Sequence, residues 1–249
     1  MPGSKQRRKV ITAGRYIRAV QYTMTYDPDV RRSRAPKELI SSCAREAINL
    51  RHSWEKLKML MAANFEMSDL VVTLTYSDDA LPQTRKDAEA NLKRFIRHLR
   101  AARRQTGHEL RYMYVTERGH SLGRHHHHII LNSTGSDYQT IRDLWPYGDN
   151  IDFARISSKG YDGWSRYLTK EPRELGRHYV GERMWRQSRN LAKPVTESAW
   201  IDGGVPLTAP PGAYIIDRQT RSNGYGTFDF IEYVAPKNQH CPAIKSDLG

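Results

Sequence analysis

Four consecutive histidines, His125–His128, run without a break into Ile129-Ile130-Leu131, and no other feature constrains the fold as much. The β-branched apolar tail reads as a strand over residues 125–132, entered through Arg124. Side chains alternate across a strand, so His126 and His128 share one face while His125 and His127 share the other. Two imidazoles on one face can hold a single divalent ion. Either pair meets that requirement. The plain alternative is a polar run at a strand entrance.

The neighbouring segments supply the rest of a sheet. Leu70–Tyr76 (LVVTLTY) is a strand, 84–105 an amphipathic helix, Arg111–Glu117 a second strand and the histidine run a third. A helix over 137–145, a strand over Ile151–Ile156 and a helix over 161–171, stopped by Pro172, follow. This β-α-β-β-α-β order with an extra helix predicts an α+β fold. Its expected form is a ferredoxin-like (RRM-like) antiparallel sheet, with two helices on one face and the other face free for a site. Upstream, apolar residues recur at helical spacing from Lys37 to Asn64, as one long helix or two broken near Arg51–Ser53. Downstream, Tyr214–Asp217 and Thr227–Val234 read as strands joined around Asn223-Gly224. The expected organisation is a basic arm (1–36), a helical extension (37–67), a core (68–195) and a C-terminal appendage with a β-hairpin and a tail (196–249).

Charge points to the partner. The 249 residues hold 40 Lys and Arg against 27 Asp and Glu, a net charge of +13. Such a surplus repels itself in the folded state, so a polyanion, nucleic acid above all, is the natural counterpart. The 84–105 helix concentrates that charge: Arg94, Arg97, Arg100, Arg103 and Arg104 are candidate phosphate contacts, with Arg124 beside the histidines. No apolar run is long enough to span a bilayer, and the basic N-terminus lacks the apolar stretch of a secretory signal. Two cysteines, Cys43 and Cys241, build neither a disulfide framework nor a zinc finger. The expectation is a cytoplasmic protein without a membrane partner.

Two further residue sets turn the histidines into candidate chemistry. Glu117 ends the strand before the histidine strand, and a short connection brings it beside the run. One carboxylate and two imidazoles with open positions suit Mg²⁺ or Mn²⁺ on a phosphate better than a closed zinc site. Tyr167 and Lys170 lie three residues apart on the last core helix and project from one face. A tyrosine needs a nearby cation to act as a nucleophile, because its phenol ordinarily titrates near pH 10.

Leu74-Thr75-Tyr76, Gly123–Leu131 and Tyr167-Leu168-Thr169-Lys170 occur in that order. They resemble the three motifs of the HUH-family rolling-circle replication initiators, whose second motif is His-hydrophobic-His and whose third is Tyr-x-x-Lys. The stretch from Trp185 to Leu191 adds a similarity to replication-associated proteins of phages, prophages and plasmids, the filamentous-phage gene II type among them. The resemblance spans residues 68–195. It implies His126, His128 and Glu117 as metal ligands, Tyr167 as nucleophile and Lys170 as the lysine that positions or activates it. His127 departs from the pattern, since the family usually has a hydrophobic residue there, so the pair His125 and His127 stays open. Only one Tyr-x-x-Lys tyrosine is evident; Tyr161 lacks a matching lysine. The implied activity is a metal-dependent endonuclease of the one-tyrosine type. It nicks single-stranded or extruded origin DNA through a 5′-phosphotyrosine link and rejoins it during rolling-circle replication in a bacterial host. Host helicase, polymerase and single-strand-binding protein are the implied partners. The rivals are an HUH transposase or relaxase, and a non-catalytic origin-binding replication protein.

Overall fold

The computed structural model describes residues 5–23, 43–119, 123–170, 184–223 and 226–237. The first elements are β1 (Gln6–Ala13), β2 (Tyr16–Thr23), α1 (Cys43–Ala62), β3 (Leu70–Leu74), α2 (Arg85–Gln105), β4 (Tyr112–Arg118) and β5 (His125–Leu131). They are followed by α3 (Asp137–Leu144), β6 (Ile151–Arg155), α4 (Gly160–Leu168), β7 (Arg186–Gln187), β8 (Val195–Ile201), β9 (Tyr214–Asn223) and β10 (Gly226–Val234). The fold is α+β, with two five-stranded antiparallel sheets. The sheets belong to two compact units, one of them formed by Leu50–Leu191.

In the Leu50–Leu191 unit the strand order is β6-β3-β5-β4-β7. Leu70, Val72 and Leu74 of β3 and Ile129 and Leu131 of β5 face Leu92, Phe95 and Leu99 of α2 and Ile141 of α3. α2 begins at a capping box, in which Thr84 Oγ1 accepts from the Asp87 amide and the Asp87 carboxylate accepts from the Thr84 amide. The alternate residues Val71, Met113, Val115 and Ile130 pack against Leu57, Leu60 and Met61 of α1 and Trp164 and Leu168 of α4.

That second face is therefore covered where the sequence suggested an open one. β3 is apolar on both sides, and a strand of that kind needs a layer on each. Helix α1 is continuous from Cys43 to Ala62, and its Leu57, Leu60 and Met61 supply part of the second layer. The part of the expected 37–64 helix before residue 43 lies outside the described residues, as does residue 171 of the last core helix.

The other unit holds a sheet of order β8-β1-β2-β10-β9. The expected C-terminal hairpin is present as β9 and β10, longer than the sequence suggested; the tail is described only to residue 237. Three strands differ from expectation. Residues 6–23, read as part of a basic arm, form the antiparallel pair β1–β2, with Gly14 at a positive φ of 60° in the turn. β8 was not expected as a strand and pairs with β1. Charge hid the hairpin. Arg8 lies on the covered side, donating from Nε to Gln21 Oε1 at 2.9 Å and from Nη2 to the Pro206 carbonyl at 3.1 Å.

Candidate functional site

The antiparallel register of β4 and β5 sets Glu117 opposite His126, and β3 sets Thr73 opposite His128. Met113, Val115 and Glu117 point to one face of β4, as do His126, His128 and Ile130 on β5. The site is thus the polar end of the apolar rows that pack on α1 and α4. Glu117 Oε2 lies 3.4 Å from His126 Nε2 and 3.6 Å from His128 Nε2. The two imidazoles meet edge to face, their centroids 4.9 Å apart.

These three side chains form a group that could hold a metal ion, their donor atoms lying within 4.8 Å of one another. Ligand atoms bonded at about 2.1 Å to one ion sit roughly 3 to 3.5 Å apart, so the spacing suits a shared cation. Glu117 Oε1 is buried with no hydrogen-bond partner among the described residues, an acceptor waiting for a charge. Thr73 Oγ1 lies 3.0 Å from His128 Nδ1, which fixes the ring and leaves Nε2 toward the group. Burial alone would raise the Glu117 carboxyl. The hydrogen bonds and charges of His126 and His128 together outweigh it and hold the group at about 2.

His125 and His127 project to the opposite face. His127 is fully buried, with Nε2 2.8 Å from Tyr76 Oη and Nδ1 2.9 Å from Thr116 Oγ1. Burial, and then the neighbouring histidines, push its imidazole down to about 3. The residue fills a polar slot in the α2-side core. Unfolded His127 takes a proton as pH falls through 6.5, whereas the folded residue stays neutral to about 3. Its contribution is complete above 6.5 and is lost as pH falls. Wild-type stability should therefore drop by about 2 kcal/mol between pH 6.5 and 5, at about 1.4 kcal/mol per pH unit. Urea unfolding at both pH values should show that drop reduced by this amount in His127→Leu, while the variant still binds Mn²⁺ calorimetrically. Loss of Mn²⁺ binding would transfer the ligand role to His125 and His127.

Tyr167 closes the site from α4. Its hydroxyl lies 3.4 Å from His128 Nε2, and the two rings meet edge to face at 5.0 Å. Burial, then the charges of Glu117 and Asp152, raise its phenol above the ordinary value. Trp164 packs edge-on against it at 5.5 Å. Lys159 Nζ sits 3.9 Å from the Tyr167 ring centroid and 4.5 Å from that of Trp164. Lys170 is exposed, just past the Thr169 cap of α4. Tyr161 is turned away and donates to the Phe65 carbonyl, its phenol pushed up to about 12 by burial.

The sequence did not single out Lys159, Thr73 or Thr116. Thr73 and Thr116 are ordinary strand residues until the register is known. Lys159 precedes Gly160 with no pattern that marks it. Among the expected DNA contacts, Arg94, Arg97 and Arg104 are exposed on α2, and Arg94 donates to Tyr147 Oη. Arg100 lies over the Tyr112 ring. Arg103 does not share that surface. It is buried and paired with Asp137 at 2.7 Å. Arg124 is engaged with the Tyr76 carbonyl at 2.6 Å and with Asp78.

An antiparallel sheet carrying a carboxylate–histidine cluster, with a tyrosine helix closed over it, defines a candidate metal-site domain. Residues 69–172 match the model of the family described as Replication-associated protein ORF2/G2P. That segment spans β3 to α4, so the resemblance seen in the motifs holds for the site-bearing part of the chain and points to a replication role. No curated protein and no solved structure matches the chain. No helix among the described residues is long and apolar enough to cross a membrane.

Proposed function

We propose that this protein initiates rolling-circle replication of a phage or plasmid by nicking and rejoining single-stranded origin DNA. The observation that carries the reading is the Tyr167 hydroxyl 3.4 Å from a histidine of the Glu117–His126–His128 group, inside the segment matched to a replication-associated family. The strand order β6-β3-β5-β4, with α2 and α3 on one face, supports a ferredoxin-like core.

Glu117, His126 and His128 would hold Mg²⁺ or Mn²⁺, which supplies Lewis-acid polarisation of a phosphate oxygen. Tyr167 Oη attacks phosphorus, forming the Oη–P bond as the P–O3′ bond breaks. The phenol proton leaves and the departing 3′ oxygen gains one. The link keeps the phosphodiester's reactivity for the return step, in which a 3′-OH displaces the tyrosine. Lys159 holds positive charge against the Tyr167 ring, and Lys170 lies beyond the helix end, placed to meet DNA. Arg94, Arg97, Arg100 and Arg104 hold phosphates, which makes binding fall steeply with salt.

The test is a denaturing gel of 5′- and 3′-labelled single-stranded DNA from the replicon, with protein and Mn²⁺ or EDTA. A metal-dependent adduct on the 5′ phosphate is expected. Tight binding with no adduct on origin-containing DNA would leave a non-catalytic origin-binding protein.

A further inference from the structure

We propose that the end of the outer face of the β8-β1-β2-β10-β9 sheet that carries Trp200 and Phe228 is a second DNA-binding surface, one that stacks the bases of a single strand. The inference lies outside the residues matched to the replication family, and its choice of DNA as the strand rests on the replication reading above. The register carries it. Trp200 of β8 pairs with Arg7 of β1, Arg7 with Tyr22 of β2, Tyr22 with Phe228 of β10, and Phe228 with Arg221 of β9. One row therefore crosses all five strands, carrying three aromatic and two cationic side chains over about 19 Å at about 4.8 Å per strand.

The opposite face is closed. There Ile17, Ala19, Ile231 and Tyr233 pack with Leu207. Gln21 also lies there, donating to the Val205 carbonyl at 2.7 Å. Residues of the aromatic row occupy the alternate positions, so they point away from that core. Trp200 and Phe228 are each 38% exposed, large values for rings of that size. The Arg7 guanidinium lies 5.5 Å from the Trp200 ring centroid, and that of Arg18 lies 5.2 Å from Phe230. Stacking on Trp200 holds the Arg7 side chain in place without using its hydrogen-bond donors.

Charge complementarity selects the occupant. Lys9 stands two residues from Arg7 on the same face, and Arg221 ends the row exposed. A polyanion meets Arg7, Lys9 and Arg221 there, while Glu232, opposite Arg18, is buried and Asp217 is half-buried further along the sheet. Exposed rings among cations fit unpaired bases, every one of which offers a stacking face; a duplex keeps those faces inside its own stack. An acidic protein surface would use the cations but not the rings.

The experiment uses the full-length protein in EDTA, with fluorescence anisotropy of labelled oligo(dT) and of a duplex of equal length. Wild type should prefer the single strand. Trp200→Ala and Phe228→Ala should each weaken oligo(dT) binding by about 5- to 100-fold. Arg221→Gln, an exposed change that leaves the core untouched, should lower the slope of log affinity on log salt by about 1. Unchanged oligo(dT) affinity in Trp200→Ala/Phe228→Ala, with its circular dichroism that of wild type, overturns the proposal. So does a wild-type preference for the duplex, or an unchanged salt slope in Arg221→Gln. Wild-type adduct formation on origin DNA is scored separately. Ring-dependent binding without any adduct would sink the nicking reading and leave the surface standing; an adduct with ring-independent binding would do the reverse.

Discussion

Tyr167→Phe should fold, bind single-stranded DNA and form no covalent adduct, a loss of at least about 1,000-fold in adduct rate against wild type. Removing a nucleophile deletes the bond-forming step, and no neighbouring group makes the same bond. The substitution is otherwise mild. The ring keeps its edge-to-face contacts with His128 at 5.0 Å and Trp164 at 5.5 Å, and Lys159 remains over its face. Only the long contact to His128 Nε2 disappears, a bond worth well under about 1 kcal/mol at that length. Melting temperature and Mn²⁺ binding should therefore stay near wild type while the adduct band vanishes. An adduct that survives would have to come from another hydroxyl. Tyr161, the nearest tyrosine in sequence, has its hydroxyl committed to the Phe65 carbonyl. A surviving adduct would thus rule out the α4 tyrosines as the nucleophile.

What the sequence made legible follows from how each residue declares its environment. The order from β3 to α4 could be read because its strands and helices carry strong periodicity, and Glu117 came beside His126 because a short hairpin leaves few other registers. Alternation paired His126 with His128 and His125 with His127, but left open which pair faces the site. Long-range partners were a different matter. Thr73 meets His128 across 55 positions, and nothing local marks that threonine. The β1–β2 hairpin was obscured because Arg8, a covered residue, reads as surface charge. His127 looked like a rival ligand until the strand's other face proved to be core, where Tyr76 and Thr116 satisfy both ring nitrogens. Charge was the least reliable guide, since a cation's solvent exposure depends on partners far away in sequence.

Arg103 makes that last point measurable. Replacing it with methionine should cost about 3–5 kcal/mol of folding stability, the usual penalty for stranding one member of a buried ion pair. Both side chains are 3% exposed, and Arg103 Nη2 donates to Asp137 Oδ1 at 2.7 Å while Nη1 donates to Asn132 Oδ1 at 2.9 Å. Asp137 also accepts from the Thr134 amide and hydroxyl at 2.7 and 2.8 Å, anchoring the start of α3. Burial would raise its carboxyl, but the Thr134 amide, the Arg103 charge and the remaining hydrogen bonds outweigh it and hold it below the ordinary range. With the guanidinium gone, the carboxylate keeps its burial and loses its cation. The deficit should shrink in acid, because Asp137 can then take a proton. Arg104→Met, one residue further along and exposed, should change stability by less than about 0.5 kcal/mol. Urea unfolding of the two variants side by side separates the roles that composition assigns alike. Equal and small losses would return Arg103 to the DNA-facing stripe, whereas a large loss confined to Arg103→Met identifies it as the brace between α2 and the start of α3.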